Sequence, residues 1–356
     1  MTAQEQDATA RSNDEFPNME RTVMPRTTSL PSPRAARRNR HDWMTAISRY
    51  GTLSTLVLLV AVFGVARPDV FATRLNFLHI LNQSAILLAV SSGLTVCLVV
   101  GLFDLSIAAV ATAGNYFVVA ILVTQGGDAD VWPAILLVLA VCGLIGAASG
   151  WIVSYLGVPA FVGTLAVGSI LSGIVIGVSQ SRTIVGGIPD AFLALGQEHT
   201  FGIPNPVLIV AVVLGFLWVL LEHTQTGRNL YAIGGNREAA RLSGISVRRY
   251  ALLALAISAI CAGLGGMISA ANLGAGRPTG VGDAYLLNAF AAAFIGASTL
   301  RPGQFHIFGT VVGVLIIAVI GNGLSMLGVP TYWQYIVQGA LLILAMVTAG
   351  VVSRKS

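Results

Sequence analysis

Apolar residues fall along this chain in long blocks, not in the short periodic faces of a soluble fold. Ten blocks stand out, near 50–66, 79–100, 104–124, 132–154, 160–178, 205–222, 250–271, 285–299, 306–326 and 332–351. Each approaches the ~20 residues that a helix needs to cross a hydrocarbon core about 30 Å thick. The eighth, set between two Gly-rich stretches, is the shortest. The pattern predicts an all-α polytopic membrane protein with about ten transmembrane helices. Composition agrees, because apolar residues make up 55% of the 356 and charged residues only 10%, against roughly 25% charged in a soluble domain. Forty glycines favour a tight bundle, since small residues let helices approach where lipid supplies no hydrophobic drive.

Charge orients the bundle. An even number of spans puts both termini on one side, and with the N-terminus inside, 16 of the 20 basic residues are interior. Only Arg67, Arg74, Arg182 and Arg277 fall outside, a bias that predicts cytoplasmic termini. The same distribution argues against nucleic acid as a partner. Residues 1–45 read as a disordered, basic cytoplasmic tail, too long in its charged part for a cleaved signal peptide and followed by further spans. Residues 46–356 form the membrane domain. Two of its connections are long: an exterior stretch, 179–204, suited to a vestibule or a partner, and an interior stretch, 222–249. A distant duplication relating spans 2–5 to spans 7–10 is conceivable, although no residue pattern demonstrates it.

Several chemistries are excluded. The only lysine is Lys355, so there is no GxxxxGK[ST] phosphate loop and no internal Schiff-base lysine. Energy from ATP would have to enter through another chain. Cys97, Cys142 and Cys261 sit inside apolar blocks with no disulfide or metal-ligand spacing, and no cofactor is expected. The string Gly146-Ala147-Ala148-Ser149-Gly150 lacks the first glycine of an intramembrane serine-protease motif.

Polar residues inside the blocks are few. Asp104 is the one prominent acid. As a pathway residue it would face water or solute; as a cap it would hold the first N–H groups of span 3, which is the preferred reading. Asn115, Asn288 and Asn322, with Gln83, Ser84, Gln334 and Gln338, are candidate pathway groups or interhelical hydrogen-bond partners. As a set they suit a neutral polyol better than an ion, and they offer no proton relay.

The interior stretch is the most informative. Gly234 and Gly235 are expected to break the chain, Asn236 to cap a short helix, Glu238 to suit its dipole and Gly244 to stop it. Ala239 and Ala240 leave a slim centre, and Arg237 and Arg241 add charge. So short a helix must pack on something, either the membrane surface or another protein.

The string TGRNLYAIGGNREAARLSGISV from Thr226 resembles the cytoplasmic loop of ribose-type permeases of ATP-binding-cassette sugar importers. FDLSIAAV from Phe103, TLAVGSILSGI from Thr164 and GNGLSMLGVPTYWQYIVQGALLILAM from Gly321 extend the resemblance through spans 2–10. It implies a multi-pass bacterial inner-membrane subunit working with a cytoplasmic ATP-binding subunit, a periplasmic sugar-binding protein and a second permease copy. Gly234, Gly235, Asn236, Glu238, Ala239, Ala240, Arg241 and Gly244 would form its ATPase-coupling element. The chain departs from many members at Leu286 and Asn288, where they carry acids. A self-sufficient secondary carrier for a neutral solute is the alternative.

Overall fold

The computed structural model describes residues 51–126, 130–301 and 303–353, which are mostly helical; the tail expected over 1–45 lies outside them. In chain order the helices are α1 (Gly51–Ala66), α2 (Pro68–Phe71), α3 (Arg74–Val99), α4 (Ile107–Gln125), α5 (Val131–Tyr155), α6 (Ala160–Ser179) and α7 (Asp190–Gln197). They continue as α8 (Asn205–His223), α9 (Gln225–Gly235), α10 (Arg237–Leu242), α11 (Val247–Leu273), α12 (Asp283–Ala297), α13 (Ile307–Met326) and α14 (Thr331–Ser353). Every apolar block is a helix. Among the described residues seven, namely α3, α4, α5, α6, α8, α11 and α13, are long and apolar enough to cross a membrane, while α1 and α12 are shorter apolar helices. The chain is an all-α polytopic membrane protein.

The two longest helices, α3 and α11, are mostly buried and form the centre, whereas α5, α6 and α8 turn large side chains such as Leu144, Ile170 and Phe216 outward. α3 and α11 run antiparallel. Their contact is close because Gly93 faces Cys261 and Ser258, where an added methyl would lie 2.6 Å from Cys261 Cβ and 3.0 Å from Ser258 Cα. The Thr95 and Thr310 hydroxyls join α3 to α13 at 2.6 Å.

The two sets of spans repeat one packing pattern. α3, the linker 100–106, α4, α5 and α6 follow the same course as α11, the linker 274–282, α12, α13 and α14. α11 packs on α4 and α5 as α3 packs on α12 and α13, and α4 meets α6 as α12 meets α14. Because α3 and α11 are antiparallel, the two halves form an inverted repeat of the kind transporters use. Both linkers re-enter the bundle. Ser106, just ahead of α4, packs on Gly168 midway along α6, and Gly282, just ahead of α12, packs on Ala108 of α4.

Non-helical backbone at this depth is tolerated only where protein satisfies its polar groups. For the second linker, α4 does so: Thr112 Oγ1 accepts from Gly282 N at 3.0 Å and Asn115 Oδ1 from Arg277 N at 2.7 Å. The Asn115 amide also donates to Gly266 O of α11 at 3.2 Å. The strand pair β1 (Ile184–Val185) and β4 (Ala275–Gly276) fixes the linker's outer end.

The exterior stretch 179–204 is more ordered than a loop. It holds β1, α7 and the hairpin β2 (His199–Thr200) with β3 (Ile203–Pro204). α7 buries Phe192 and closes the end of α11: Gln197 Nε2 donates to Ala271 O at 3.0 Å and Asn272 Nδ2 to Gly196 O at 3.2 Å. Helix-end carbonyls need such donors.

Candidate functional site

Two places in the bundle bring the sequence candidates together. The first is the interior stretch. Thr224 caps α9 by accepting from Gly227 N at 3.2 Å, and α9 buries Leu230 and Ile233 against the bundle. Tyr231 Oη donates to Phe305 O at 3.1 Å, and Glu222 grips Arg301 at 2.7 Å, so the α12–α13 hairpin is tied to the same surface.

Gly234 and Gly235 do not interrupt α9 but complete it, which corrects the expectation of a break. The two differ in role: a methyl on Gly234 would collide with Val99 O at the end of α3, whereas nothing lies within 4 Å of one on Gly235. Asn236 then caps α10, accepting from Ala239 N at 2.9 Å. Glu238 and Arg241 pair on its outer face, and the hydrogen bond from Arg241 holds the Glu238 carboxyl below the usual carboxylate range. Gly244, at φ 82°, turns the chain back, and Ile245 N returns to Ala240 O at 3.0 Å.

The two alanines expected at a common contact face opposite ways. Ala240 is only 4% exposed and joins the core with Ile233 and Val247, while Ala239 is exposed beside Leu242, which is 78% exposed. The outward surface of α10 is therefore Ala239 and Leu242 framed by Arg237, Glu238 and Arg241.

Asp104 lies in the first linker, fully buried, with Leu105 and Ser106 between it and the start of α4. It is not the helix cap expected of it. Its Oδ1 accepts from Ser106 N at 2.9 Å and Ser106 Oγ at 2.6 Å, closing an Asx turn, while Thr164 of α6 accepts from Leu105 N at 3.1 Å. The residue shapes the re-entrant turn. Asn115, strapped to the second linker as described, is likewise a structural hydrogen-bond centre.

The second place is a cavity of about 240 Å³ between α3, α12, α13 and α14. It gathers Gln83, Ser84, Asn288, Asn322, Gln334 and Gln338 from four separate stretches of sequence, and adds His79, Tyr285 and Ser325. Asp104 and Asn115 are not part of it. Among the described residues, no Asp, Glu, Lys or Arg lines it. Three buried atoms of its lining, Ser84 Oγ, Asn288 Oδ1 and Asn322 Oδ1, find no hydrogen-bond partner among the described residues. His79, Tyr285 and Ser325 escape sequence reading singly, yet a signal exists: His79–Gln83, Tyr285–Asn288, Asn322–Ser325 and Gln334–Gln338 are polar pairs three or four residues apart on apolar helices, so each pair shares a face. Among the described residues no cluster of metal-binding side chains occurs, and the three cysteines are free and buried.

Residues 76–346 match the family described as branched-chain amino acid transport system / permease component. The chain is 36% identical over 306 residues to the D-allose transport system permease protein of Escherichia coli strain K12, covering 86% of this chain and 93% of that protein. It is 31% identical over 303 residues to the ribose import permease protein of Haemophilus influenzae, covering 84% and 92%. To the galactose/methyl galactoside import permease protein of Escherichia coli strain K12 it is 32% identical over 327 residues, covering 86% and 95%. No solved structure matches it.

Proposed function

The chain belongs to the branched-chain amino acid transport system / permease component family, and from that premise we propose that it is the membrane subunit of an ATP-binding-cassette importer for a neutral monosaccharide. It works in the bacterial inner membrane with a cytoplasmic ATPase subunit, a periplasmic sugar-binding protein and a second permease copy, and it carries no ATPase site of its own. The relatives' sugar substrates and the uncharged cavity support the substrate class. The inverted repeat supports alternating access, one half moving against the other around the centre.

The observation that carries the reading is α10. A six-residue helix is too short to persist alone, yet this one is capped at Asn236, stopped at Gly244 and held out from the bundle with Ala239 and Leu242 exposed. An exposed, small-centred helix on the most basic interior stretch is a shape for a cleft on the ATPase subunit.

Ala239→Trp tests it. The variant should reach the membrane in normal amount, because Ala239 touches nothing in the core, while ATPase subunit recovered with it and sugar uptake fall together. Ala240→Trp should instead lower the amount of folded permease, since added volume in a packed site costs about 1–3 kcal/mol. Full ATPase recovery and uptake by Ala239→Trp would reject the docking role.

A further inference from the structure

We propose that the apolar groove between α1, α3 and α13 is a site for one anionic phospholipid, its acyl chain lying in the groove and its phosphate on Arg74. The inference is independent of the import reading and needs only that the chain spans a membrane.

The groove has a volume of about 610 Å³ and is walled by Gly64 of α1, Phe77 and Leu81 of α3, and Leu315 and Val319 of α13. Gly64 leaves it open, since nothing lies within 4 Å of a Cβ added there. It lies at the lipid-facing edge of the bundle, where Val57 and Leu58 of α1 and Leu75 and Phe77 of α3 are exposed. Apolar cavities do not hold water, and an empty one forfeits the contacts of its lining. A hydrocarbon chain is the filling that the bilayer supplies. From Leu56 to Gly64, both in the lining, α1 rises about 12 Å, against ~15 Å for half of a hydrocarbon core about 30 Å thick. That is the depth of one leaflet.

Charge at the mouth selects the headgroup. Arg74 opens α3, lines the groove and is exposed, and among the described residues it forms no ion pair. The neighbouring Arg67 is committed, donating to Met326 O at the end of α13 at 3.0 Å. On the orientation that the basic residues predict, these are two of only four arginines on the exterior side. A free cation kept there against the bias has a use, and a lipid phosphate gives it one.

The hairpin β2–β3 supplies a second sign. Its Gly202 abuts the Arg74 guanidinium, where an added Cβ would lie 3.2 Å from Nη2. The turn between Thr200 and Ile203 holds two residues, Phe201 at φ 55° and Gly202 at φ 76°. Positive φ at both is the geometry that Asn-Gly fits and a bulky aromatic strains. Phe201 nevertheless occupies it and is 96% exposed. A strained, uncovered aromatic beside an unpaired cation, at the head of a groove one leaflet deep, matches an amphipathic ligand with phosphate above and hydrocarbon below.

The test uses the purified full-length permease, stripped of lipid in detergent and titrated in native mass spectrometry with phosphatidylglycerol or with phosphatidylcholine of the same chains. Arg74→Gln should weaken phosphatidylglycerol binding about fivefold, the worth of one basic residue at an anionic surface, and leave phosphatidylcholine nearly unchanged. Gly64→Phe, which fills the groove, should weaken both lipids alike. Phe201→Asn, which suits the turn, should raise the melting temperature of the stripped protein and weaken both lipids. Unchanged phosphatidylglycerol affinity in Arg74→Gln, or unchanged affinity for both lipids in Gly64→Phe, overturns the proposal. So does inorganic phosphate that raises the melting temperature as far as phosphatidylglycerol, which would mark a free-anion site. A stripped wild-type dimer that Gly64→Phe dissociates would likewise overturn it and assign the groove to a second copy of the chain.

Discussion

Gly234 and Gly235 are adjacent and chemically identical, yet the structure predicts opposite responses to a single methyl group. At Gly234 a Cβ would overlap Val99 O and stand 3.0 Å from the Val99 carbonyl carbon, where ordinary contact begins near 3.4 Å. Neither group is a flexible side-chain tip, so α9 and the end of α3 must part by roughly 1 Å or more to restore contact distances. Overpacking of this kind costs about 1–3 kcal/mol, and alanine's better helix propensity returns only about 0.5–1 kcal/mol. The net loss, up to about 2.5 kcal/mol, corresponds to a fall in Tm of up to roughly 10 °C.

The loss has a functional side too. Val99 ends the helix that lines the cavity at Ser84, about 22 Å away at 1.5 Å per residue, so parting α9 from α3 loosens the connection between α10 and the cavity. Gly235→Ala, with open space around its Cβ, should keep wild-type uptake and gain up to about 0.5–1 kcal/mol in stability. Thermal unfolding of the purified permease and uptake by the reconstituted importer measure the pair. Indistinguishable behaviour of Gly234→Ala and Gly235→Ala would refute the packing argument.

Asp104→Asn and Asp104→Ser keep an acceptor for the Ser106 amide and should retain assembly and most uptake, whereas Asp104→Leu should lower the folded amount in membranes; loss of uptake by Asp104→Asn at normal membrane levels would show that the charge itself is needed. His306 caps α13 as a neutral ring, with Nδ1 accepting from Gly309 N at 2.8 Å and Nε2 2.8 Å from Thr299 O. Burial pushes its pKa below the ordinary 6.5, so the stability it contributes is complete above about pH 6.5 and is lost as pH falls through the lower folded-state value. Melting curves from pH 8 to pH 5 should therefore fall more steeply for wild type than for His306→Asn, which keeps a capping side chain that does not titrate, and parallel curves would contradict the assignment.

Much of the fold was legible because bilayer thickness turns span length into a direct signal: each of the ten apolar blocks is a helix. The caps were legible too, since Asn236 and Gly244 act through local backbone chemistry. What the sequence concealed depends on contacts between distant segments. Ala239 and Ala240 look alike until α10 is placed on Ile233 and Val247. Asp104 reads as a cap until Leu105 and Ser106 are seen to stand between it and α4. The cavity was half visible, as a scatter of Asn, Gln and Ser, but only packing separates Asn288 and Asn322, which face it, from Asn115, which straps a linker. The inverted repeat left no trace in residue identity because it is kept in helix direction and depth, which many apolar sequences satisfy equally.

The central claim is that this chain transports a neutral sugar only when a separate ATPase subunit drives it. The direct measurement is uptake of radiolabelled D-ribose and D-allose into proteoliposomes holding the permease alone under an ion gradient, and holding it with its ATPase subunit, binding protein and ATP. The account predicts accumulation only in the complete, ATP-fed system. Accumulation by the permease alone under the gradient would contradict it and identify a self-sufficient carrier.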